Sequence, residues 1–202
     1  MANSSPGITV DGTDENAIYR AGGICGYNNS GTVTDCISDV TVTAKGKMNE
    51  LQAGSIAGEN STGSIFNCYA TGKIESTAIV KYVFLGGIAG ASNGRIANCA
   101  ALNSNISGNK GQTNTYIHRI TGDNGGYIVN NYAATSGTFT DKGLNEPNGK
   151  DCDAKPAASW WTETNRWANN YKIGSSTITL TPWNFTTTWE VTDGNLPVLL
   201  HK

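Results

Sequence analysis

An internal period constrains this chain more than any other feature. Ile24, Ile56, Ile88 and Ile120 follow one another at intervals of 32 residues. A fixed period of that size means one structural unit stacked on copies of itself. Around the isoleucines stand Gly22-Gly23-Ile24-Cys25-Gly26, Gly54-Ser55-Ile56-Ala57-Gly58, Gly86-Gly87-Ile88-Ala89-Gly90 and the degenerate His118-Arg119-Ile120-Thr121-Gly122. Further apolar columns keep step: Val33, Ile65, Ile96 and Ile128, then Val42, Ile74 and Ile106. A third column runs Cys36, Cys68, Cys99 and Asn131, preceded in turn by Asp35, Asn67, Asn98 and Asn130. One residue is lost between Ile88 and Cys99, in an Asn/Ser/Gly-rich turn where a deletion costs little.

Composition selects the architecture. The chain has 25 glycines in 202 residues, and a helical repeat would lose roughly 1 kcal/mol for each one placed inside a helix. Leucines are few and none is periodic, which removes leucine-rich repeats. What remains is an all-β fold, a right-handed parallel β-helix (β-solenoid) of about four coils, with equivalent residues stacked about 4.8 Å apart. Within residues 54–85, the reading places strands at Ser55-Ile56-Ala57 and Ser64-Ile65-Phe66, a polar turn over 59–63 and a corner at Asn67. The glycines suit corners of positive φ or places where backbones come close. An Asn column at a bend (Asn67, Asn98, Asn130) can hydrogen-bond from rung to rung.

Three segments follow. Residues 1–20 cover one end of the stack or continue a preceding repeat, 21–144 carry the repeats, and 145–202 form a C-terminal capping segment. All five tryptophans (160, 161, 167, 183 and 189) lie in the last segment. There, residues 156–168 read as a short helix with Pro156 at its first turn, and Thr177–Leu180 and Trp189–Val191 as strands. A bare terminal rung exposes strand edges and apolar ladders, so the tryptophans are expected to seal it.

The pattern Gly-Gly-Ile-Ala-Gly, a short Asn/Ser/Gly turn, then Gly-x-Ile-x-Asn-Cys over residues 86–99 resembles the GLUG motif. That short repeat is found in bacterial surface and secreted proteins, including immunoglobulin A-degrading metallopeptidases and large adhesin-like proteins. Three copies match well, and the fourth, at 117–134, has lost two glycines and its cysteine. The resemblance extends into the closing segment through Trp160-Trp161, Trp183-Asn184-Phe185 and Leu196-Pro197-Val198-Leu199. It implies a cell-surface or secreted origin, as one part of a longer surface protein. It brings no agreed ligand or catalytic residue, and the peptidases' His-Glu-x-x-His zinc motif is absent.

Candidate chemistry is sparse. A net charge of -2 gives no electrostatic footprint for nucleic acid, and no stretch is apolar for long enough to insert in a membrane. Five cysteines leave at least one outside any intrachain disulfide. The Cys36, Cys68, Cys99 column reads as small buried residues rather than zinc ligands, and no bridge is expected between Cys25 and Cys152. Gly149-Lys150 lacks the upstream glycine spacing of a phosphate loop, since Gly143 lies one residue too far away. The acids Asp35, Asp39, Glu59, Glu75 and Asp123 do not share one column, as a facing pair for glycoside hydrolysis would require. His118 reads as a surface residue, and His201 is the other histidine. Clustered oxygens at Asp11/Asp14 and Asp151/Asp153 leave calcium open beside solvated turns. Trp160 and Trp161 are candidate ligand-binding residues that also suit packing.

The expectation is therefore a monomeric, non-enzymatic module without cofactor, serving adhesion or spacing. Its partner would be a glycan or a host surface protein, met by the segments Lys45 to Glu50, Glu75 to Lys81 and Gly108 to Asn114, or by the cap. The alternatives are a carbohydrate-binding module and a polysaccharide-active β-helix enzyme.

Overall fold

A computed structural model of the protein describes residues 6–109, 114–139, 149–163, 165–167, 170–173 and 175–200. The chain winds through four coils, each with up to five short strands. The first coil holds β1 (Gly7–Gly12), β2 (Ile18–Gly22), β3 (Cys25–Asn28), β4 (Thr32–Thr34) and β5 (Ile37–Ser38). In the second, β6 (Thr41–Gly54) spans the first two positions, followed by β7 (Ala57–Asn60), β8 (Ser64–Phe66) and β9 (Tyr69–Ala70). The third holds β10 (Ile74–Ser76), β11 (Ile79–Gly86), β12 (Ala89–Ser92), β13 (Arg95–Ala97) and β14 (Ala100–Ala101). The fourth holds β15 (Asn105–Ser107), β16 (Asn114–His118), β17 (Thr121–Asn124), β18 (Tyr127–Val129) and β19 (Tyr132–Ala134). Finally β20 (Thr138–Phe139) and β21 (Lys150–Cys152) add to the sheets of β15 and β19.

Every strand of the stack pairs in parallel with its equivalent one coil away, so the period in the sequence is the register of the sheets. Val33 lies beside Ile65, Ile65 beside Ile96 and Ile96 beside Ile128, while Ile74 lies between Val42 and Ile106. The one-residue slip sits where expected. Asn60 pairs with Ser92 and Ser64 with Arg95, so the lost residue belongs to the turn between them. Strand β2 keeps the 32-residue register against β6 (Ile18 beside Glu50), whereas β1 pairs with β6 two residues out of it (Gly7 beside Thr41).

The isoleucine ladder is continuous, but it runs along a bend. Ile24 N–H donates to Ile56 C=O (3.0 Å), Ile56 to Ile88 (3.0 Å) and Ile88 to Ile120 (2.9 Å). Ser55 and Ile56 form the bend, and the strand is Ala57–Asn60, which takes in Glu59 and Asn60 from the expected turn. A bend residue and a strand residue each bury one apolar side chain per coil, so periodicity does not separate them. Ile56, Ile88 and Ile120 are fully buried, whereas Ile24, on the first coil at the edge of the stack, is 45% exposed.

The interior has two apolar columns. Val42, Leu51, Ile74, Val83, Leu85, Ile106 and Ile117 fill the space between the sheets of the first two positions. Ile56, Ile65, Cys68, Ile88, Ile96, Cys99 and Ile120 fill the space enclosed by the other three. Between them the backbones of the second and third sheets touch. A Cβ at Gly90 would lie 2.3 Å from Ala53 N and 2.5 Å from Gly58 O. Close approach, rather than positive φ, is what those repeat glycines supply; positive φ falls on Asp35, Asn67, Asn98 and Asn130, all within 50–54°. Asn and Asp tolerate the left-handed region because their short side chains bond locally.

One Asn ladder lies where the sequence reading had only a polar turn. Asn28 Nδ2 donates to Asn60 Oδ1 (2.9 Å), and Asn60 Nδ2 donates to Ser92 Oγ (3.1 Å) and Arg95 O (3.2 Å), all out of water. Asn60→Ala should lower the unfolding free energy by about 1–3 kcal/mol, because buried partners lose their bonds. Thr62→Ala, removing an exposed bond to Ser30 Oγ, should change it by less than about 0.5 kcal/mol. Urea denaturation of the two variants checks the contrast.

The C-terminal segment departs from expectation. Helix α1 covers only Ala158–Thr162 and ends where Glu163 turns extended (ψ 124°). Two antiparallel hairpins follow, β22 (Asn170–Ile173) with β23 (Ser176–Thr179), and β24 (Trp189–Glu190) with β25 (Val198–Leu199). Instead of sealing a terminal rung, the segment lies along the flank of the stack and touches all four coils. The physical reason is Tyr69, Ala100, Leu102 and Tyr132, an apolar strip in and beside the fifth-position strands that packs against Trp161, Trp167, Trp183 and Trp189.

Candidate functional site

The flanking segment is fixed by hydrogen bonds to the corner residues of successive coils. Trp189 Nε1 donates to Asp35 Oδ1 (2.9 Å) on the first coil, and Asn67 Nδ2 on the second donates to Thr181 O (2.8 Å). Trp183 Nε1 donates to Asn98 O (2.7 Å) on the third, and Asn130 Nδ2 on the fourth donates to Arg166 O (2.7 Å). Thus the corner column holds an external strap. The expected bond along the column occurs once, from Asn130 Nδ2 to Asn98 Oδ1 (3.0 Å).

The aromatic rings form one continuous cluster. Trp183 lies 4.5 Å from Trp189, 5.1 Å from Trp161 and 5.3 Å from Trp167 between centroids. Trp160 meets Trp161 edge to face at 4.9 Å, and the Arg166 guanidinium lies 4.4 Å over its ring. Trp161 is fully buried and Trp160 partly so. The adjacent pair therefore packs in this cluster, and Trp161 presents no open ring to a ligand. Beside it opens a cavity of about 230 Å³, lined by Trp161, Thr162, Glu163, Asn165, Trp167, Pro182, Trp183 and Phe185. Trp161 Nε1 is buried without a hydrogen-bond partner among the described residues. Two other grooves lie at Tyr69, Glu190 and Leu196 (about 430 Å³) and at Met48, Ile79 and Lys81 (about 470 Å³).

The segments expected to be variable binding loops are mostly strand. Lys45 to Glu50 lies inside β6, and Glu75 to Lys81 runs from β10 into β11. Of Gly108 to Asn114, residues 110–113 lie outside the described residues, as do Gly143 and His201.

Most of the remaining candidates have structural partners. Asp35 accepts from Trp189, Glu59 pairs with Arg20 (2.5 Å), Glu75 accepts from Asn105 (2.7 Å) and Asp123 accepts from the Asn124 amide (2.9 Å). Asp11 pairs with Lys45 (3.1 Å) and Asp151 with Arg119 (2.8 Å), while Asp14 accepts from the Asn16 amide (2.8 Å). Asp153 is exposed. No group of three or more His, Cys, Asp or Glu among the described residues is placed to hold a metal ion. Lys150 Nζ donates to Asn130 Oδ1 (2.6 Å), and His118 Nδ1 lies 2.9 Å from Gly122 O.

All five cysteines are free thiols, with Cys68, Cys99 and Cys152 buried. A hydrogen bond with Cys68 and burial hold the Cys36 thiol protonated, and burial raises Cys68 well above the ordinary value. Burial also pushes Cys152 up to about 12. Tyr69, whose hydroxyl donates to Pro197 O (2.6 Å), is likewise raised to about 12, chiefly by burial. A buried neutral acid stabilises the fold while it stays protonated in both states. That stability is lost once the unfolded chain ionises. The melting temperature should therefore fall as pH rises from about 9 toward 12. At pH 8, iodoacetamide should leave Cys68 and Cys99 unmodified in the folded protein and label all five cysteines in denaturant, as read by mass spectrometry.

Stacked parallel coils, ladders of like residues and a flanking strap define a β-solenoid repeat module. Compared with known families, residues 49–75 match the GLUG motif. This bears out the resemblance read from the sequence, and the matched span covers most of one circuit of the coil, from within β6 to β10. No curated protein and no solved structure matches the chain.

Proposed function

We propose that this β-solenoid is a non-enzymatic module of a bacterial cell-surface or secreted protein, acting in adhesion or as a structural spacer. The observation that carries the reading is the strap. A segment bonded to the corners of all four coils makes the stack one stiff body, as a spacer or a platform for attachment requires. The candidate acids favour this role over polysaccharide cleavage, since Asp35, Glu59 and Glu75 are held by structural partners. The partner in adhesion is a glycan or a host surface protein, and the module works as a monomer without cofactor. Residues with GLUG-type repeats in surface and secreted proteins support the localisation.

The test is a glycan and extracellular-matrix array with the purified chain, run beside a reducing-sugar assay on a panel of polysaccharides. Array binding without sugar release is expected for adhesion, and a blank array with high unfolding force in single-molecule pulling is expected for a spacer. Release of reducing sugar would overturn the non-enzymatic reading.

A further inference from the structure

We propose that the open end of the first coil is a docking surface for one more coil of the same repeat, joined in cis through Pro6. This rests on the spacer reading above and deepens it by naming the partner on which the module stacks.

The first coil ends the stack with its interior uncovered. Among the described residues, strands β1 to β5 pair on one side only, with the second coil. Ile24 is 45% exposed, and Cys25, Val33 and Cys36 are half-buried, whereas their equivalents one coil on (Ile56, Ala57, Ile65 and Cys68) have no exposure. A solenoid that stops needs a terminal coil with a polar outer face, because an apolar column and a row of unpaired backbone groups invite association. The strap does not give that cover, since it packs on the flank.

The unpaired groups stand in a fixed order. Ile24, Ile56 and Ile88 N–H each donate to the coil that follows, which leaves Ile24 C=O facing outward. Ser64 and Tyr69 N–H donate back to Gly31 and Cys36 of the first coil (2.8 and 3.1 Å), and Arg95 and Ala100 repeat this one coil on. By the same pattern Thr32 and Ile37 N–H face outward. A parallel coil one rung away completes all three bonds together, just as the coils within the stack do. It also brings an aliphatic side chain over Ile24 and over Val33, and an asparagine that donates to Asn28 Oδ1 as Asn28 donates to Asn60 (2.9 Å).

Chain direction selects the source. Pro6 C=O accepts from Thr41 N–H (3.0 Å) and Gly7 lies beside Thr41, so the chain enters the first coil at the corner where Val40 enters the second. Two residues, Asp39 and Val40, suffice there to join a fifth position to the next first position. A second copy does not fit head to tail. Beyond the fourth coil, β20 and β21 already fill the first and fifth positions, where β1 and β5 of that copy would have to lie.

The experiment compares amide exchange by NMR in the whole chain and in a variant with a copy of residues 41–72 placed directly before Gly7. In the unaltered chain Thr32 and Ile37 amides should exchange freely. With the added coil they should slow by at least about tenfold. A second variant, carrying Ile56→Asp and Ile65→Asp in the added copy alone, should lose that protection. Unchanged exchange beside the added coil, or equal protection by both copies, would overturn the docking surface. So would protection of Thr32 and Ile37 in the unaltered chain that grows with concentration alongside a dimer mass, since the occupant would then be a second copy. Any of these leaves the spacer reading to its own pulling measurement, and a low unfolding force beside a docked coil would sink that reading alone.

Discussion

Trp189→Ala should lower the unfolding free energy by about 3–5 kcal/mol, the range for truncating a buried large aromatic side chain. Trp189 is fully buried, packs on Trp183 at 4.5 Å, and donates its indole N–H to Asp35 on the first coil. Its loss empties the near end of the strap and leaves Asp35 without that donor. A further consequence concerns cooperativity. In a solenoid whose coils touch only their neighbours, terminal coils fray independently. The strap joins the first coil directly to a segment that also grips the fourth, so the wild-type stack should unfold in one step. In Trp189→Ala, amides of β3 to β5 should exchange with solvent before those of β12 and β13. Trp189→Phe, keeping a ring but losing the bond to Asp35, should cost less than Trp189→Ala. Urea titration followed by fluorescence and by amide exchange measures both effects.

Gly90→Ala should be severe for the opposite reason. The three atoms nearest the added methyl are Ala53 N, Gly58 O and Gln52 C, at 2.3–2.6 Å, and all are backbone. No rotamer change relieves a clash with backbone, so two sheets must separate. Overpacking of this kind costs about 1–3 kcal/mol, and occasionally more. Gly125→Ala is the control, since its nearest neighbour is the side-chain amide of Asn93, which has room to turn on a half-open surface. Melting temperatures of the pair should separate clearly, with Gly125→Ala close to wild type.

These two predictions also mark what the sequence made visible. The ladders were legible because each buried position recurs once per coil, so Ile65, Ile96 and Ile128 announce their own register. The same logic placed Asn67, Asn98 and Asn130 at a corner, where they adopt positive φ. The Asn28–Asn60 ladder escaped because its third member is Ser92, which hides the column from a search for like residues. The strap escaped for a deeper reason. Tryptophans 160, 161, 167, 183 and 189 have no period, and nothing local to them says which surface they cover. One signal did exist. Tyr69, Ala100 and Tyr132 occupy one register column, and two aromatic rings flanking an alanine outside the coil's own interior call for a covering segment. The cavity followed the strap out of sight, since Trp161, Trp183 and Phe185 meet only after that segment docks.

The stacking itself is open to one direct measurement. In a deuterated, nitrogen-15 and carbon-13 labelled sample, through-hydrogen-bond couplings report which carbonyl each amide bonds. Ile56 N–H should couple to the carbonyl of Ile88, and Ile88 N–H to that of Ile120, each 32 residues on. Couplings from those amides to carbonyls at any other separation, or their free exchange with solvent in the folded protein, would contradict the account.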